Sequence, residues 1–452
     1  MKSKKVLVTL KYFKGELNPF DASALECALF MSDAEVIALS MSPLSITEQL
    51  KNISRLGVKC VLVSDLLYAG SDTQATSYIL AEAIKLIEPD YVFCGRQSVD
   101  GDTAQVPPML AQRLGLDFVN KVINFDGQNL VLRDGRKETL KENTVYTFEK
   151  FKTLRFPSIF SKPQEILVWD NQKLNLPTNL CGIKGSPTRV VKSYESAVGR
   201  RFCKFIEEKD LDSIMKNALI KNEKEQVISI GEKLPVVHYV GKVQHIADRI
   251  GEQTVCVNFE NKTINQIVSE LLRDNAKVVI WEDTDELKIL AAKLAIVLNA
   301  GLCADCIDFK VENGRLIMTR PAQGGTVTAD IVCESNMSFA TARTVKKSEN
   351  DTIFTVGYGA IDKIEEITNL AKKYDAEVCA TRKVVDSGKM PYTSQVGLTG
   401  KIVSPKVYVA FGVSGAVQHT CAISGAGTVI AINKDKNERI FDYADYGIIK
   451  EV

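Results

Sequence analysis

The residues best suited to chemistry lie in VAFGVSGAVQH, residues 409–419. An apolar run from Val407 to Phe411 stops at Gly412, and Ser414, Gly415, Ala416, Gln418 and His419 follow. The chain has only three histidines, so one placed just past a glycine-rich turn stands out. Two glycines let a backbone turn tightly and approach a ligand closely. A helix beginning near Ser414–Ala416 would point free N–H groups and the positive end of its dipole at an anion such as a pyrophosphate. The spacing is GxxG rather than GxGxxG. The same residues would equally suit a packed strand-to-helix turn with a surface histidine.

Other segment ends carry complementary groups. EVCATR leaves Thr381 and Arg382 at the end of an apolar run, and QVGLTGK (395–401) is a second glycine-rich loop with Val396, Gly397 and Thr399. TVIAINKD ends in Asn433, and FDYADYG carries Asp445. Hydroxyl, guanidinium, amide, carboxylate and imidazole converging on one sheet edge would give the mixture a dinucleotide requires. A second polar loop follows DYVFCG (90–95), with Arg96, Asp100, Gly101, Asp102, Thr103 and Gln105 leading into a helix start. It reads either as a second nucleotide site or as a generic loop. No acid–base or nucleophile constellation stands out. Cys303 and Cys306 form a CxxC, but zinc needs about four ligands, and neither His238 nor His245 has a matching spacing. A structural role is the simpler reading of that pair.

These groups need elements to position them. Short apolar runs alternate with helical patterns: VLVTL (6–10), ASALECALFM (22–31), EVIALSM (35–41), KCVLVSD (59–65), TQATSYILAEAIKLI (73–87) and DYVFCG (90–95). Strands separated by helices imply a parallel sheet covered on both faces. Ligands of such sheets sit at the carboxyl ends of strands. The segment from YVFCGRQSVDGDTAQV to INFDGQNLVLRDG has a loose second copy, from VVIWEDTDELKIL to IDFKVENGRLIMTRP. The order strand, loop, Leu-Ala helix, Gly-Leu turn and hairpin repeats, as duplicated α/β domains would. A third unit begins near Asp351 and has a doubly wound pattern. The fold class is therefore α/β, with two related parallel-sheet nucleotide-binding-type domains followed by a doubly wound domain. The domains run 1–180, 227–345 and 346–452, joined by a linker or arm at 181–226 that includes the charged, helix-like FIEEKDLDSIMKNALIKN.

At 452 residues and 45% apolar content, each domain can bury its own core. A net charge of +1 points to neither nucleic acid nor a membrane surface as partner. No apolar run approaches the ~18 residues of a membrane span. VLVTL is too short for a secretion signal and reads as a first strand. Eleven scattered cysteines suit reduced thiols in a cytoplasmic protein.

TRKVVDSG, QVGLTGKIVSPKVYVAFGVSGAVQH, INKD and ADYG together closely resemble the FAD domain of the electron transfer flavoprotein α subunit. TRPAQGGTVTADIVCES (319–335) resembles the end of that subunit's first domain. NPFD (18–21) and GRQSVDGDTAQV (95–106) resemble nucleotide-binding segments of the β subunit, and GIKGSPTRVVKSY resembles a β-subunit tail. The likeness covers nearly the whole chain and implies β and α fused in one polypeptide.

The resemblance implies FAD bound by Thr381, Arg382, Val396, Gly397, Thr399, Ser414, Gly415, Ala416, Gln418, His419, Asn433 and Asp445. His419 would lie near flavin N1 and O2, as a positive or donating imidazole that favours anionic reduced flavin. Thr399 would donate toward N5, Arg382 would lie near the ring, and Asn433 and Asp445 would meet the AMP half. Thr9, Asn18, Asp21, Arg96, Asp100, Gly101, Asp102, Thr103 and Gln105 would hold a second nucleotide, AMP or FAD. TLRFPSIFSK (153–162) matches a docking loop for flavoprotein dehydrogenases such as acyl-CoA dehydrogenase, with Phe156 as anchor; a buried Phe in a connecting segment is the alternative.

Three departures stand beside the resemblance. Tyr358 replaces an arginine between Gly357 and Gly359, Leu398 replaces a glutamine, and Pro107 replaces a glycine beside the N-terminal loop. The α-like first domain is also short by one or two strand–helix units. The implied function is an electron carrier, with two alternatives. One is an NADH-oxidising, electron-bifurcating flavoprotein with a second FAD. The other is a nucleotide-binding protein that has lost flavin. A monomer or a homodimer would suit the fused chain.

Overall fold

The computed structural model describes residues 3–195, 200–220, 231–343, 350–397 and 400–451. The chain divides into two compact units. The first comprises Met1–Ser193, Gly231–Gln323 and Ala329–Arg343. The second comprises Tyr194–Ile230, Gly324–Thr328 and Thr344–Val452.

The first unit holds both copies of the repeat. In the N-terminal copy the strands lie in the order Lys59–Val63, Ala34–Met41, Lys4–Thr9, Tyr91–Gly95, Thr144–Phe148, Asp117–Phe125, all parallel. These strands are apolar on both faces, as a sheet covered on both sides demands. Val6 and Val8 enter one core and Leu7 the other. Helix Thr73–Ile87 covers one face and is capped by Asp72, whose side chain accepts from the Gln74 and Ala75 N–H groups.

The second copy orders its strands Gly251–Cys256, Leu234–Val240, Val278–Glu282, Ser338–Ala342, Gly301–Cys306, again parallel. This is the N-terminal order without a counterpart of Lys59–Val63. The chain passes from Gly251–Cys256 through one helix, Ile264–Arg273, straight to Val278–Glu282.

The likeness extends to a backbone irregularity. In each copy the register of the corresponding parallel pair shifts, between Tyr146 and Phe148 and between Cys303 and Cys306. There Lys121 and Asp305 adopt φ of 61° and 60°. Each donates its N–H to a threonine hydroxyl on the neighbouring strand, Thr147 at 2.8 Å and Thr341 at 2.9 Å. A matched bulge with a matched brace indicates duplication more strongly than strand order alone, because bulges are specific features kept within families.

The arm after residue 181 is not loose. Asp72 receives Thr188 N–H at 3.0 Å and its hydroxyl at 2.6 Å, and Thr188–Glu195 lies beside Val327–Cys333 in a four-stranded sheet.

The second unit is one parallel sheet ordered Lys204–Phe205, Tyr446–Ile449, Thr428–Asn433, Val407–Phe411, Thr352–Val356, Glu377–Ala380. Leaving aside the short edge strand, the order is that of a flavodoxin-like doubly wound fold. Helix Leu211–Ile220, from the charged stretch before it, buries Leu211, Met215 and Ala218 in this unit's core.

Candidate functional site

In the second unit the strand order reverses between Thr352–Val356 and Val407–Phe411, and a crevice opens at such a point. The two loops that leave these strands are locked together there. Gly357 N–H donates to Phe411 O at 2.7 Å and Gly359 N–H to Gly412 O at 3.1 Å. Gly412 has φ of 60°, and a Cβ on it would lie 2.5 Å from Ala360 N. Gly415 has φ of 80°, and a Cβ there would collide with the Ile440 backbone. Both positions therefore require glycine. Asn433 is buried at the end of the next strand, and its Nδ2 braces the turn by donating to Val413 O at 3.0 Å.

Beyond Gly412 the chain alternates. Ser414, Ala416 and Gln418 are exposed, while Gly415 and His419 are buried. The helix expected to start near Ser414–Ala416 is a single turn, Val417–Thr420. Gly415 and the extended backbone at Ala416 delay its start, so its dipole is small. Arg382 lies at the same carboxyl edge, after Glu377–Ala380, with its Nε 3.2 Å from Asp386 Oδ2. Val396 N–H donates to Ala380 O at 2.9 Å, which brings Val396 and Gly397 to this edge beside Thr381.

Two sequence expectations change here. His419 is not on the surface and is not a protonated donor. One ring nitrogen lies 2.9 Å from the Tyr408 hydroxyl and the other 3.1 Å from Val396 O. Burial pushes its pKa down to about 4, so the ring is neutral at pH 7. Asp445 does not join the cluster. It precedes strand Tyr446–Ile449 and so sits at the amino edge, where it accepts from Val429 N–H at 2.8 Å and pairs with Arg201. Strands in a parallel sheet point one way, so a residue before a strand lies a strand length from one after it. Thr399 and Leu398 fall outside the described residues.

The N-terminal copy reverses strand order between Lys4–Thr9 and Tyr91–Gly95, and a cavity of about 930 Å³ opens there. Thr9, Asn18, Asp21, Asp100, Gly101, Thr103 and Gln105 all line it. Asp21 is fully buried and accepts from Lys11 N–H at 2.7 Å and Gly95 N–H at 3.0 Å; burial pushes its carboxyl up to about 7. Lys11 Nζ pairs with Asp100 at 2.8 Å. Asn18 Oδ1 and Gln105 Oε1 are buried with no hydrogen-bond partner, so the cavity presents acceptors suited to the amino and hydroxyl groups of a nucleotide.

Arg96 and Asp102 are not on the cavity wall. Arg96 is buried against Glu149, its Nε 3.0 Å from the carboxylate. Asp102 is buried with Gln97 Nε2 at 2.9 Å. These pairings brace the loop beside the cavity.

The sequence reading missed the opposite wall. Leu302, Cys303, Ala304, Arg320 and Ile331 come from the second copy. Arg320 is 5% exposed, and its Nε and one terminal nitrogen have no hydrogen-bond partner. The segment TRPAQGG was visible, but nothing local connects it to a loop more than 200 residues earlier. At the second copy's own reversal point Glu282 accepts Lys242 N–H at 2.8 Å.

Doubly wound sheets with polar loops gathered where strand order reverses define a nucleotide-binding α/β protein. Sequence comparison narrows that class. A family model described as the electron transfer flavoprotein domain matches residues 6–142 and 252–366, and one described as the electron transfer flavoprotein FAD-binding domain matches 347–424. The chain belongs to the electron transfer flavoprotein family. It is 32% identical over 242 residues to an electron transfer flavoprotein subunit alpha of Thermoanaerobacterium thermosaccharolyticum, covering 43% of this chain and 73% of the relative. It is 36% identical over 194 residues to a subunit beta of Clostridium acetobutylicum, covering 39% and 74%. It is 35% identical over 197 residues to the caffeyl-CoA reductase-Etf complex subunit CarD of Acetobacterium woodii, covering 39% and 75%. Relatives of both subunit types in one chain are consistent with a fused β and α flavoprotein.

Proposed function

We propose that this chain carries electrons on FAD held at the carboxyl edge of the C-terminal sheet, between a flavoprotein dehydrogenase and a downstream acceptor. The observation that carries the reading is the gathering of Thr381, Arg382, Val396, Gly397, the Gly412–His419 turn and Asn433 at one reversal point. When bound, FAD supplies the redox chemistry. The protein's part is to hold and tune it. Gly412 and Gly415 bring backbone close to the pyrophosphate, Asn433 keeps that turn in place, and Ser414 and Gln418 offer polar groups on its open side. Arg382 supplies positive charge near the ring. His419, neutral and bonded to Tyr408 and Val396, supports the loop from below rather than donating a proton. Residues 153–162 expose Phe156, Ile159 and Phe160, at 94%, 84% and 86%; exposed aromatics of this kind suit anchoring in a partner's pocket.

The N-terminal cavity takes a second nucleotide, with Asn18, Asp21, Asp100 and Gln105 as polar contacts and Arg320 as a cation. Its volume lies near the top of the ~300–1,000 Å³ typical of small-molecule sites. That size favours a second reading, in which the cavity holds a second FAD and the chain oxidises NADH and divides its electrons.

Acid release and identification of bound nucleotides tests these readings. One FAD with AMP per chain supports the simple carrier. Two FADs make anaerobic reduction by NADH the next measurement. No flavin, even after incubation with excess FAD, overturns the carrier.

A further inference from the structure

The CxxC pair acquires a setting in the fold that its sequence did not suggest. In a regular strand, residues three apart point to opposite faces. Asp305, at φ 60°, is the extra residue of the bulge in Gly301–Cys306. The bulge returns Cys306 to the face that Cys303 occupies, and both lie in one apolar cluster. Cys306 Sγ is 3.4 Å from Cys303 O, and both thiols are free.

Cys303 also lines the N-terminal cavity, on the same wall as Arg320. The strand Arg315–Ala322 runs beside it, with Ile307 N–H donating to Thr319 O at 2.8 Å. Asp305, on which Arg320 also acts, is held by two other cations. Lys288 Nζ lies 2.5 Å from its Oδ1 and Arg343 3.5 Å from its Oδ2, and Lys288 also pairs with Asp283 at 2.8 Å. The buried guanidinium and Cys303 both line the cavity, and two of the guanidinium nitrogens have no hydrogen-bond partner. The neighbouring Cys306 thiol, and after it the Arg320 charge, lower the Cys303 pKa, while burial and Asp305 oppose them; burial raises that of Cys306.

We propose that Cys303 and Cys306 are a peroxide-reactive dithiol, with Cys303 as the attacking thiol, Cys306 as the resolving thiol and Arg320 as the cation that activates them. The Cys303 thiolate attacks one oxygen of hydrogen peroxide. The O–O bond breaks, Cys303 becomes a sulfenic acid, and hydroxide leaves beside Arg320. Cys306 then attacks the Cys303 sulfur, an S–S bond forms, and water leaves. Two thiols are oxidised by two electrons, and one peroxide is reduced to two waters. A low-pKa thiol beside a resolving thiol is the arrangement of redox-sensing cysteines. Peroxide is small enough to reach a wall thiol that is 2% exposed. The reaction would reversibly change the wall of the nucleotide cavity, and it does not depend on which nucleotide the cavity holds.

The test treats the full chain with graded hydrogen peroxide, blocks remaining thiols with an alkylating agent, and maps peptides without reduction. It is run on the protein as purified and again after its nucleotides have been dialysed out. A 303–306 disulfide in either preparation, formed before the other nine cysteines react and reversed by dithiothreitol, supports the proposal. Its absence from both overturns it, as does a Cys303–Cys333 disulfide or direct passage of Cys303 to sulfinic acid. Cys306→Ser should let dimedone trap a sulfenic acid at Cys303, and failure to trap one counts against the proposal. Arg320→Gln should slow Cys303 oxidation by roughly tenfold, the thiolate fraction lost when a thiol pKa rises one unit. An unchanged rate removes Arg320 from the step.

Discussion

His419 shows how a buried imidazole constrains this protein at the residue scale. Its pKa of about 4 lies below the ~6.5 of an unfolded chain. Between those values the unfolded state binds the extra proton, so stability is full above pH 6.5 and falls as pH drops toward 4. We predict a loss of about 2 kcal/mol between pH 7 and pH 5 from this group, read as a falling urea midpoint that His419→Gln flattens. Equal slopes in the two proteins would remove His419 from that account. Arg320 makes the converse case. A buried cation with two nitrogens lacking hydrogen bonds costs stability, so Arg320→Gln should leave the thermal midpoint unchanged or raise it. The same variant should weaken retention of the second nucleotide about tenfold or more, since charge-assisted bonds contribute ~1.5–3 kcal/mol. Calorimetric titration of the stripped protein with AMP and with FAD measures this, and an unchanged affinity refutes the role.

At the scale of elements, the flavin site depends on two loops whose backbones touch. Gly415→Ala puts a Cβ into the Ile440 backbone at φ 80°. We expect a cost of about 1–3 kcal/mol together with loss of FAD, seen as a colourless protein with a lowered unfolding midpoint. Retained flavin with normal stability would show that the turn is not held as described. Asp445 lies at the other edge, so its pairing with Arg201 and Val429 serves the sheet rather than the cofactor. Asp445→Asn should therefore lower stability while leaving one FAD in the C-terminal unit. Loss of that FAD in a folded variant would return Asp445 to the site.

For the whole molecule, duplication explains a division of labour. Both copies of the repeat share strand order and a braced bulge, and the cavity of about 930 Å³ lies at the reversal point of the first. The second has Glu282 at its own and contributes a wall, with Cys303 and Arg320, to its sister's cavity. The two copies meet elsewhere too: Gln74 Nε2 donates to Ala295 O at 3.2 Å, and Lys121 pairs with Asp285. The proposed docking segment is tested on the whole chain as well. Phe156→Ala removes an exposed side chain, so the fold and the nucleotide content should be unchanged. Electron transfer from a cognate dehydrogenase should fall at least tenfold in kcat/KM, the effect of losing about 1.4 kcal/mol or more at an anchor residue. An unaffected rate would place docking elsewhere.

The sequence by itself determined the α/β class, the strand-helix alternation, the duplication and the family. These follow from local periodicity, turn residues and short motifs, which act within a few residues of one another. Helix Thr73–Ile87 and the carboxyl-edge placement of Gly412, Arg382 and Asn433 were legible for that reason. Only the tertiary structure decided which candidates line the N-terminal cavity. Arg96 and Asp102 lie off the cavity wall, paired with Glu149 and Gln97, and Asp445 lies at the opposite sheet edge with Arg201. Arg320 and Cys303 join the N-terminal cavity through strand packing between copies. The charge state of His419 follows from burial against Tyr408 and Val396. Strand direction, desolvation and pairing across hundreds of residues set these outcomes, and a local pattern does not encode them.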